Sequence, residues 1–198
     1  MRPVLVVVGV LVAVIGLAAF SGVGTYNKLV DADETVGQAW ADVQTQYQRR
    51  ADLIPNLVRT VSGAADFEQE TLTAVTEARA RATSINLSAD DLSDPAKMEA
   101  FMSAQASLSG ALGRLLVVSE NYPQLRATEG FRDLQVQLEG TENRITVARR
   151  DYNDVVADFN RGVRRFPGSI IASITGFDRK TPFEAQKGSE NAPVVEFD

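Results

Sequence analysis

The sequence predicts an all-α protein: an N-terminal transmembrane helix followed by an antiparallel (up-down-up-down) four-helix bundle with long first and last helices. An uncharged apolar run, VLVVVGVLVAVIGLAAF, fills residues 4–20. After it, apolar residues recur at spacings of three and four, the a/d pattern of packed helices, and no stretch alternates as a strand would. These patterns divide the chain into an anchor (1–24), a helical bundle (25–166), a basic and apolar membrane-proximal segment (167–180) and a flexible tail (181–198).

The apolar run is long enough for an anchor, since about 20 apolar residues span a bilayer as a helix. A cleaved signal peptide is the alternative, because residues 19–21 resemble a cleavage site, but the run exceeds the usual apolar core of such peptides. Arg2 and the α-amino group precede the run and Lys28 follows it. The positive-inside rule therefore favours a single-pass protein of the cell membrane whose body is extracytoplasmic.

Pro55 lies inside the first bundle helix and raises the question of whether that helix ends there. Proline has no amide hydrogen and clashes with the preceding turn, so it ends or kinks a helix. Ile54 and Leu57 flank it and both keep the apolar register, which favours one helix, kinked where the Ala51 carbonyl loses its partner, over a true break. The stripe of this helix consists of Leu29, Val36, Trp40, Val43, Tyr47, Ile54, Leu57 and Val61.

Three further helices complete the predicted bundle. Asp66 followed by Gln69 predicts the start of the second helix, and Asp94 followed by Pro95 predicts the start of the third. The third stripe consists of Met98, Phe101, Leu108, Leu112, Leu115 and Tyr122, with Gln105 and Ser119 as polar members. The last helix keeps the alternation for five heptads, through Phe131, Leu134, Leu138, Thr141, Ile145, Ala148, Tyr152, Val155, Phe159, Gly162 and Phe166.

Arg50 occupies a position on the first apolar stripe and is therefore predicted to lie inside the bundle. An interior arginine needs a carboxylate, since an unpaired buried charge is very costly. Counting along the helices predicts a polar core layer in which Arg50 pairs with Glu142 or Glu77; its predicted members are Arg50, Glu77, Gln105, Thr141 and Glu142. Fixing the register of the helices is favoured over a ligand or ion site as the role of this layer.

The segment from residue 161 to 180 is basic, whereas the bundle before it is acidic: residues 25–160 carry 13 basic and 21 acidic side chains. The helix lengths bring the end of the last helix back to the level of the membrane. Two interpretations fit equally: the segment contacts the membrane surface, or its apolar residues fold back and cap the bundle. The predicted surface contacts are Arg161, Arg164, Arg165, Ile170, Ile171, Ile174, Phe177, Arg179 and Lys180.

The composition excludes much catalytic chemistry. The chain has no cysteine and no histidine, which removes disulfides, thiol nucleophiles, Ser-His triads and the usual zinc sites. We therefore predict no enzyme, no cofactor and no metal, and the acidic body argues against nucleic-acid binding. The favoured function is a non-catalytic, membrane-anchored scaffold or adaptor of the bacterial envelope with a membrane or envelope protein as partner; an oligomer is possible. The alternative is a lipid-surface-binding or membrane-remodelling protein acting through residues 161–180.

Several blocks of the sequence resemble the LemA family of bacterial membrane proteins. They are YNKLV (26–30), Trp40, RRADLIPNLV (49–58), EAR (77–79), SENYPQLRA (119–127), LEGTENRI (138–145), ARRDYND (148–154), FN (159–160), RRFPGSIIA (164–172) and GF (176–177). The resemblance implies one N-terminal transmembrane helix, an antiparallel helical bundle and no established biochemical activity. It also implies a short N-terminus outside the cell, which is the opposite of the orientation that the charges favour.

Two positions depart from the family pattern. Phe67 precedes Glu68 where relatives often carry a His-Glu pair, so a histidine-dependent role cannot operate in this chain. Gly168 and Ser169 follow the Phe-Pro pair where relatives carry Ser-Asn or a similar pair, which loosens the turn into the apolar segment.

Overall fold

The computed structural model describes residues 2–63 and 68–184, and all regular secondary structure in this part of the chain is helical, without a strand. The prediction of an all-α protein is confirmed. The predicted cap at Asp66 and the chain after Glu184 lie outside the described residues, as do several side chains of the predicted anchor. The helices are α1 (Arg2–Ser62), α2 (Gln69–Ser84), α3 (Pro95–Ser119), α4 (Pro123–Arg126), α5 (Glu129–Arg164) and α6 (Gly168–Thr175), with a 3-10 turn at Asp90–Ser93.

Helix α1 continues through Pro55 without interruption, so the prediction of one helix rather than a break is confirmed. The carbonyl of Ala51, which would ordinarily accept from the amide of residue 55, accepts instead from Nε of Arg79 on α2 at 2.8 Å. This bond matters because Ala51 is buried and an unpaired backbone oxygen there would be costly. A side chain of the neighbouring helix thus replaces the donor that the proline lacks.

Helices α1 and α5 run antiparallel along each other. Arg50 lies beside Glu142, Trp40 beside Tyr152 and Leu29 beside Gly162, so residue numbers rise on one helix as they fall on the other. Helix α2 packs on both α1 and α3, and the short α6 packs on α1 and α5. Helix α3 begins as predicted: the Asp94 carboxylate accepts from the amides of residues 96 and 97, and Pro95 occupies the first turn.

The buried apolar side chains form two clusters stacked along the helices. The cluster farther from the N-terminus is aliphatic apart from one aromatic ring and includes Leu57, Val75, Leu115 and Phe131. The nearer cluster is rich in aromatic rings and is called the aromatic cluster: the Trp40 ring lies 5.3 Å from that of Phe101 and 5.5 Å from that of Tyr152. Large rings at such distances contribute more than their buried area alone.

Three predicted stripe positions need correction. Val156 is buried instead of Val155, because a straight helix drifts against a strict seven-residue repeat. Phe166 is 81% exposed, since α5 ends at Arg164 and the residue lies in the turn before Pro167. Helix α3 ends at Ser119, so Tyr122 packs against the aliphatic cluster from the following connection.

The chain after α6 does not become a free tail at residue 181. Residues 180–184 form an extended strap along α5. Two asparagines of α5 each bind one strap residue, because the asparagine side chain accepts from the backbone amide of that residue and donates to its backbone carbonyl. Asn160 bonds Lys180 at 2.8 and 2.9 Å, and Asn153 bonds Phe183 at 2.8 and 3.0 Å. The Phe183 ring is buried against Trp40 and Tyr152. Hydrogen bonding and burial of an aromatic ring therefore order this strap (residues 180–184).

One helix within the described residues, Pro95–Ser119, is long and apolar enough to cross a membrane by length and composition. Its stripe, which includes Met98, Phe101 and Leu115, is buried in the two clusters, and the core helix of a soluble protein passes the same criterion. The N-terminal transmembrane helix is not confirmed and remains a prediction.

The bond between Arg79 and the Ala51 carbonyl can be tested by a double-mutant cycle with Pro55. Arg79→Ala leaves the buried carbonyl unpaired and should lower the free energy of unfolding by about 1–3 kcal/mol. In a Pro55→Ala background the amide of residue 55 supplies the missing donor, so the same substitution should cost at least about 1 kcal/mol less. Urea denaturation of the detergent-solubilised chain measures both values.

The control is Arg81→Ala, two residues along α2, whose exposed guanidinium is 3.8 Å from Glu77. It should change stability little in either background. Equal costs of Arg79→Ala with and without Pro55 would contradict the compensation.

Candidate functional site: a buried arginine and its groove

Arg50 is among the largest buried side chains within the described residues, with 2% of its surface exposed. It lies on α1 between the aliphatic and the aromatic clusters. The helical stripe forces this placement, because the position is one turn from Tyr47 on one side and Ile54 on the other, and both are buried. A guanidinium remains protonated in proteins, so a full positive charge lies inside the core.

The charge is compensated by groups from two other helices. Nη1 of Arg50 donates to Oγ of Ser109 at 2.8 Å and to Oε2 of Glu142 at 3.0 Å. Nη2 donates to Oε1 of Gln105 at 2.6 Å. The Gln105 amide in turn donates to the Ala82 carbonyl on α2 at 3.2 Å. One buried side chain therefore connects α1 to α3 and α5 directly and to α2 through Gln105.

The members of the predicted polar layer are only partly brought together. Glu142, one of the two predicted partners of Arg50, makes the ion pair, and Gln105 contacts the guanidinium. Thr141 is buried, but its hydroxyl donates to the Gln137 carbonyl of its own helix. Glu77 does not belong to the layer, since its side chain is 63% exposed and lies near Arg81. The reason is the rotation of α2, which turns Ala78 inward and Arg79 toward α1.

Sequence reasoning missed Ser109 as a partner of Arg50. The spacing along α3 indicates it, because Ser109 lies one helical turn after Gln105 and residues four apart share a face of a helix. Its hydroxyl also donates to the Gln105 carbonyl at 3.2 Å, so the two acceptors of Arg50 on α3 are themselves coupled.

A groove of about 560 Å³ opens beside the guanidinium, between α3 on one side and α5 with the strap on the other. Its wall combines apolar and polar side chains, among them Tyr47, Met102, Ser103, Glu142, Arg149 and Glu184. Arg149 stacks over the Phe183 ring, with its guanidinium carbon 4.6 Å from the ring centre, and donates to the Glu184 carbonyl at 3.3 Å. The strap therefore forms one end of the groove.

Tyr47 lies under the guanidinium of Arg50, whose central carbon is 5.1 Å from the ring centre. Burial raises the pKa of the Tyr47 phenol above its ordinary value, and the charges of Arg149 and Arg50 oppose this shift without reversing it. The phenol therefore stays neutral at physiological pH and can donate a hydrogen bond.

The arrangement around Arg50 is suited to holding helices together and to recognition of a ligand rather than to proton transfer. The carboxylate of Glu142 pairs with the guanidinium, and a guanidinium cannot release its proton at physiological pH. The described ranges 2–63 and 68–184 contain no group of three acidic, histidine or cysteine side chains placed to hold a metal ion.

A second candidate site lies at the other end of the helices, where α6 packs beside the start of the packed part of α1. Gly168 is buried so closely that a Cβ there would clash with the Gly162 carbonyl oxygen. Ala172 is also buried, and the Phe177 ring lies 6.0 Å from that of Tyr26 and 6.2 Å from that of Phe159. One face of α6 thus caps the helices.

The other predicted contacts of this segment divide between surface and interior. Phe166, Ile170 and Ile174 are exposed, as are Arg161, Arg164, Arg165 and Arg179. Ile171 and Phe177 are half-buried against α1 and α5. Lys180 is not a surface cation, because its side chain is 10% exposed and its ammonium lies 3.0 Å from the Asp33 carboxylate.

The sequence model of the LemA family matches residues 39–197. The chain belongs to the LemA family. Among curated relatives, magnetosome protein MamQ 2 of Paramagnetospirillum magneticum is 26% identical over 86% of this chain and 68% of its own length. Magnetosome protein MamQ of Magnetospirillum gryphiswaldense is 24% identical over 93% and 74%, respectively. Protein LemA of Metamycoplasma hominis is 25% identical over 80% of this chain and 68% of its own length.

The blocks that resemble the LemA family supply most of the contacts just described. Block 49–58 holds Arg50 and Pro55, and block 77–79 holds Arg79. Glu142 comes from block 138–145, Asn153 from block 148–154, and the buried face of α6 from block 164–172. Many LemA-like residues of this chain therefore connect its helices to one another, whereas Gln105 and Ser109 on α3 lie outside these blocks.

The Arg50 layer generates a graded prediction for stability. Arg50→Ala should lower the free energy of unfolding by about 2–4 kcal/mol, because it opens a cavity and leaves Gln105 and Ser109 without their donor. Glu142→Gln should cost about 1–3 kcal/mol, because Arg50 stays buried with its charge uncompensated while Glu142 itself is 52% exposed. Urea denaturation of each full-length variant measures its free energy of unfolding and so ranks the two losses.

Glu77→Gln is the matched control, since it removes the other carboxylate predicted for this level. It should leave stability unchanged within about 0.5 kcal/mol, the usual effect at an exposed position. If Glu77→Gln cost as much as Glu142→Gln, the Arg50–Glu142 pair would not be the compensating interaction.

Proposed function

We propose that this LemA-family protein is a non-catalytic, single-pass membrane-anchored scaffold or adaptor of the bacterial envelope. The observation that carries the proposal is the continuity of α1, which extends without a break for 61 residues from Arg2 to Ser62. At about 1.5 Å per residue this helix is roughly 90 Å long, enough to cross a bilayer and to extend through the packed body.

The exposure of apolar side chains along α1 supports an anchor in its first part. Val8, Leu11 and Val12 are each more than half exposed, and Phe20 is 82% exposed. A row of exposed apolar residues is costly in water and is covered when the helix lies in lipid. From Leu29 onward the stripe residues are buried against the other helices. The change in burial supports an anchor boundary near the predicted residue 24.

The body is proposed to be the predicted up-down-up-down bundle of α1, α2, α3 and α5. The antiparallel course of α1 and α5 and the packing of α2 against both α1 and α3 support this arrangement. The Arg50 layer suits a scaffold, because a polar layer in a helical core specifies how helices pair at some cost in stability. The groove beside it supplies a concave surface that combines apolar, polar and charged side chains, for an envelope or membrane protein partner.

Relatives named as magnetosome proteins fit a role as one component of a larger cellular assembly. A second candidate function, lipid-surface binding or membrane remodelling through residues 161–180, is favoured by the exposed apolar face of α6. The two functions differ in the partner, which is a protein in the first case and lipid in the second.

Orientation follows from the charges flanking the anchor, which favour an extracytoplasmic body. The chain has no cysteine, so one introduced residue is the sole thiol. Thr146→Cys, at an exposed position of α5, should react with a membrane-impermeant maleimide in intact spheroplasts. A cytoplasmic single-cysteine protein serves as the control for leakage. Labelling only after lysis would reverse the orientation.

The anchor and the adaptor role are tested separately. The full chain should stay in the membrane pellet after alkaline carbonate extraction, and its release would overturn the anchor. Proximity labelling from a tag inserted at the exposed Glu129 end of α5 should enrich one or more membrane or envelope proteins. When the tag is placed on each of these proteins instead, the labelling should enrich this chain. Loss of reciprocity in every enriched protein would contradict an adaptor.

A further inference from the structure

Three large apolar side chains form an exposed stripe at the start of and along α6. Phe166, Ile170 and Ile174 are 81%, 52% and 76% exposed. Ile170 and Ile174 lie four residues apart and therefore share one face of the helix, and Phe166 lies in the turn just before it. Such a row is unusual on a surface that faces water and is typical of a surface that meets another apolar phase.

The packing of the opposite face holds this stripe outward. Gly168 touches the Gly162 backbone with no room for a side chain, and Ala172 is buried one turn later. Helix α6 ends at Thr175 and is followed by Gly176, whose φ of 79° lies in the left-handed region, and Phe177 then packs on the body against Tyr26. Helix α6 cannot turn its exposed residues inward without losing these contacts.

The stripe lies at the level where the exposed apolar part of α1 ends. The Cδ1 atom of Ile171 is 3.6 Å from the Cβ position of Gly22, and Thr25 is the α1 side chain that approaches Gly168. On α1 itself, Phe20 and Val23 are exposed just before this level. The exposed apolar surface of α6 and that of α1 are therefore adjacent.

Exposed arginines flank the stripe. Arg164 is the last residue of α5, Arg165 follows it immediately before Phe166, and Arg179 lies two residues after Phe177. These three side chains are exposed and make no ion pair with another described residue, whereas Arg161 pairs with Asp158. Arginine beside an amphipathic helix with exposed apolar residues is the chemistry that binds anionic lipid headgroups.

We propose that α6 and these arginines form a membrane-surface collar that binds anionic phospholipid. Arg164, Arg165 and Arg179 contact the phosphate-bearing headgroups, and Phe166, Ile170 and Ile174 enter the boundary between headgroups and acyl chains. The proposal rests on the anchor proposed above and names its lipid partner. It removes Ile171, Phe177 and Lys180 from the predicted lipid contacts, because these residues pack on the body. Two attachments, the anchor and the collar, then set the tilt of the body.

Depth measurements on the full chain test the anchor and the collar independently. Single spin labels are placed at Val12→Cys in the anchor, Ile174→Cys in the collar and Thr146→Cys in the body, all exposed positions. The protein is reconstituted in vesicles of phosphatidylcholine with or without phosphatidylglycerol. We expect the label at residue 12 to be oxygen-accessible and shielded from a water-soluble nickel chelate in both vesicles, and the label at residue 146 to show the reverse.

The label at residue 174 should be shielded from the nickel chelate at least severalfold more in anionic than in zwitterionic vesicles. If residue 12 lies in the bilayer while residue 174 is water-accessible in both lipids, the collar is wrong and the anchor stands. If residue 12 is water-accessible, the anchor and the collar resting on it are both overturned.

A charge-reversal pair tests the arginines. The collar variant carries Arg164→Glu, Arg165→Glu and Arg179→Glu; the control carries Arg114→Glu, Arg126→Glu and Arg144→Glu, exposed positions on the body with the same change in net charge. The collar variant should lose the anionic-lipid shielding at residue 174, and the control should retain it. Retention in the collar variant, or equal loss in both, overturns headgroup binding. Glutamine substitutions at the collar positions replace the glutamates if circular dichroism shows lost helix content.

Discussion

The burial of one guanidinium constrains the rest of this structure. Arg50 lies between two apolar clusters, and its charge cannot be removed by deprotonation, so acceptors must come to it. Helix α5 brings Glu142 and helix α3 brings Gln105 and Ser109, while Gln105 reaches the α2 backbone. Sliding any of these helices by one turn would move its acceptors about 5 Å away. The contacts of Arg50 therefore form in the one register in which both clusters are observed.

A second arginine, Arg79 on α2, pairs with a backbone carbonyl of α1, that of Ala51, the residue after Arg50. Pro55 permits a continuous helix only if the Ala51 carbonyl finds another donor, and Arg79 supplies it from α2. The continuity of α1 between the proposed membrane span and the far end of the body is thus supported by a neighbouring helix. A movement of α2 relative to α1 would break this bond and leave the Ala51 carbonyl, one turn before Pro55 in the helix, without a donor. By the rise per residue of a helix, Pro55 lies about 45 Å from residue 24.

Spacing along the chain was sufficient to predict the all-α class, the continuity of α1 and the interior position of Arg50, since all three depend on the periodicity of a helix. It was not sufficient to choose between Glu142 and Glu77 or to find the Arg79 bond, because these depend on how far α2 is rotated about its own axis. Ala78 faces inward, and its two charged neighbours consequently face in different directions. The strap escaped prediction because backbone hydrogen bonds to Asn153 and Asn160 leave no pattern in the strap sequence.

The positions of Asn153 and Asn160 on α5 limit the insertions and deletions that the strap can accept. They are seven residues apart on α5, a rise of about 10 Å, and the residues they hold are three apart in extended chain, again about 10 Å. The spacing of the two asparagines therefore fixes the number of residues between Lys180 and Phe183 but not the identity of residues 181 and 182. Between Lys180 and Phe183 many side chains would be accepted, but one residue more or fewer would carry one amide pair out of reach and withdraw the aromatic ring from the core.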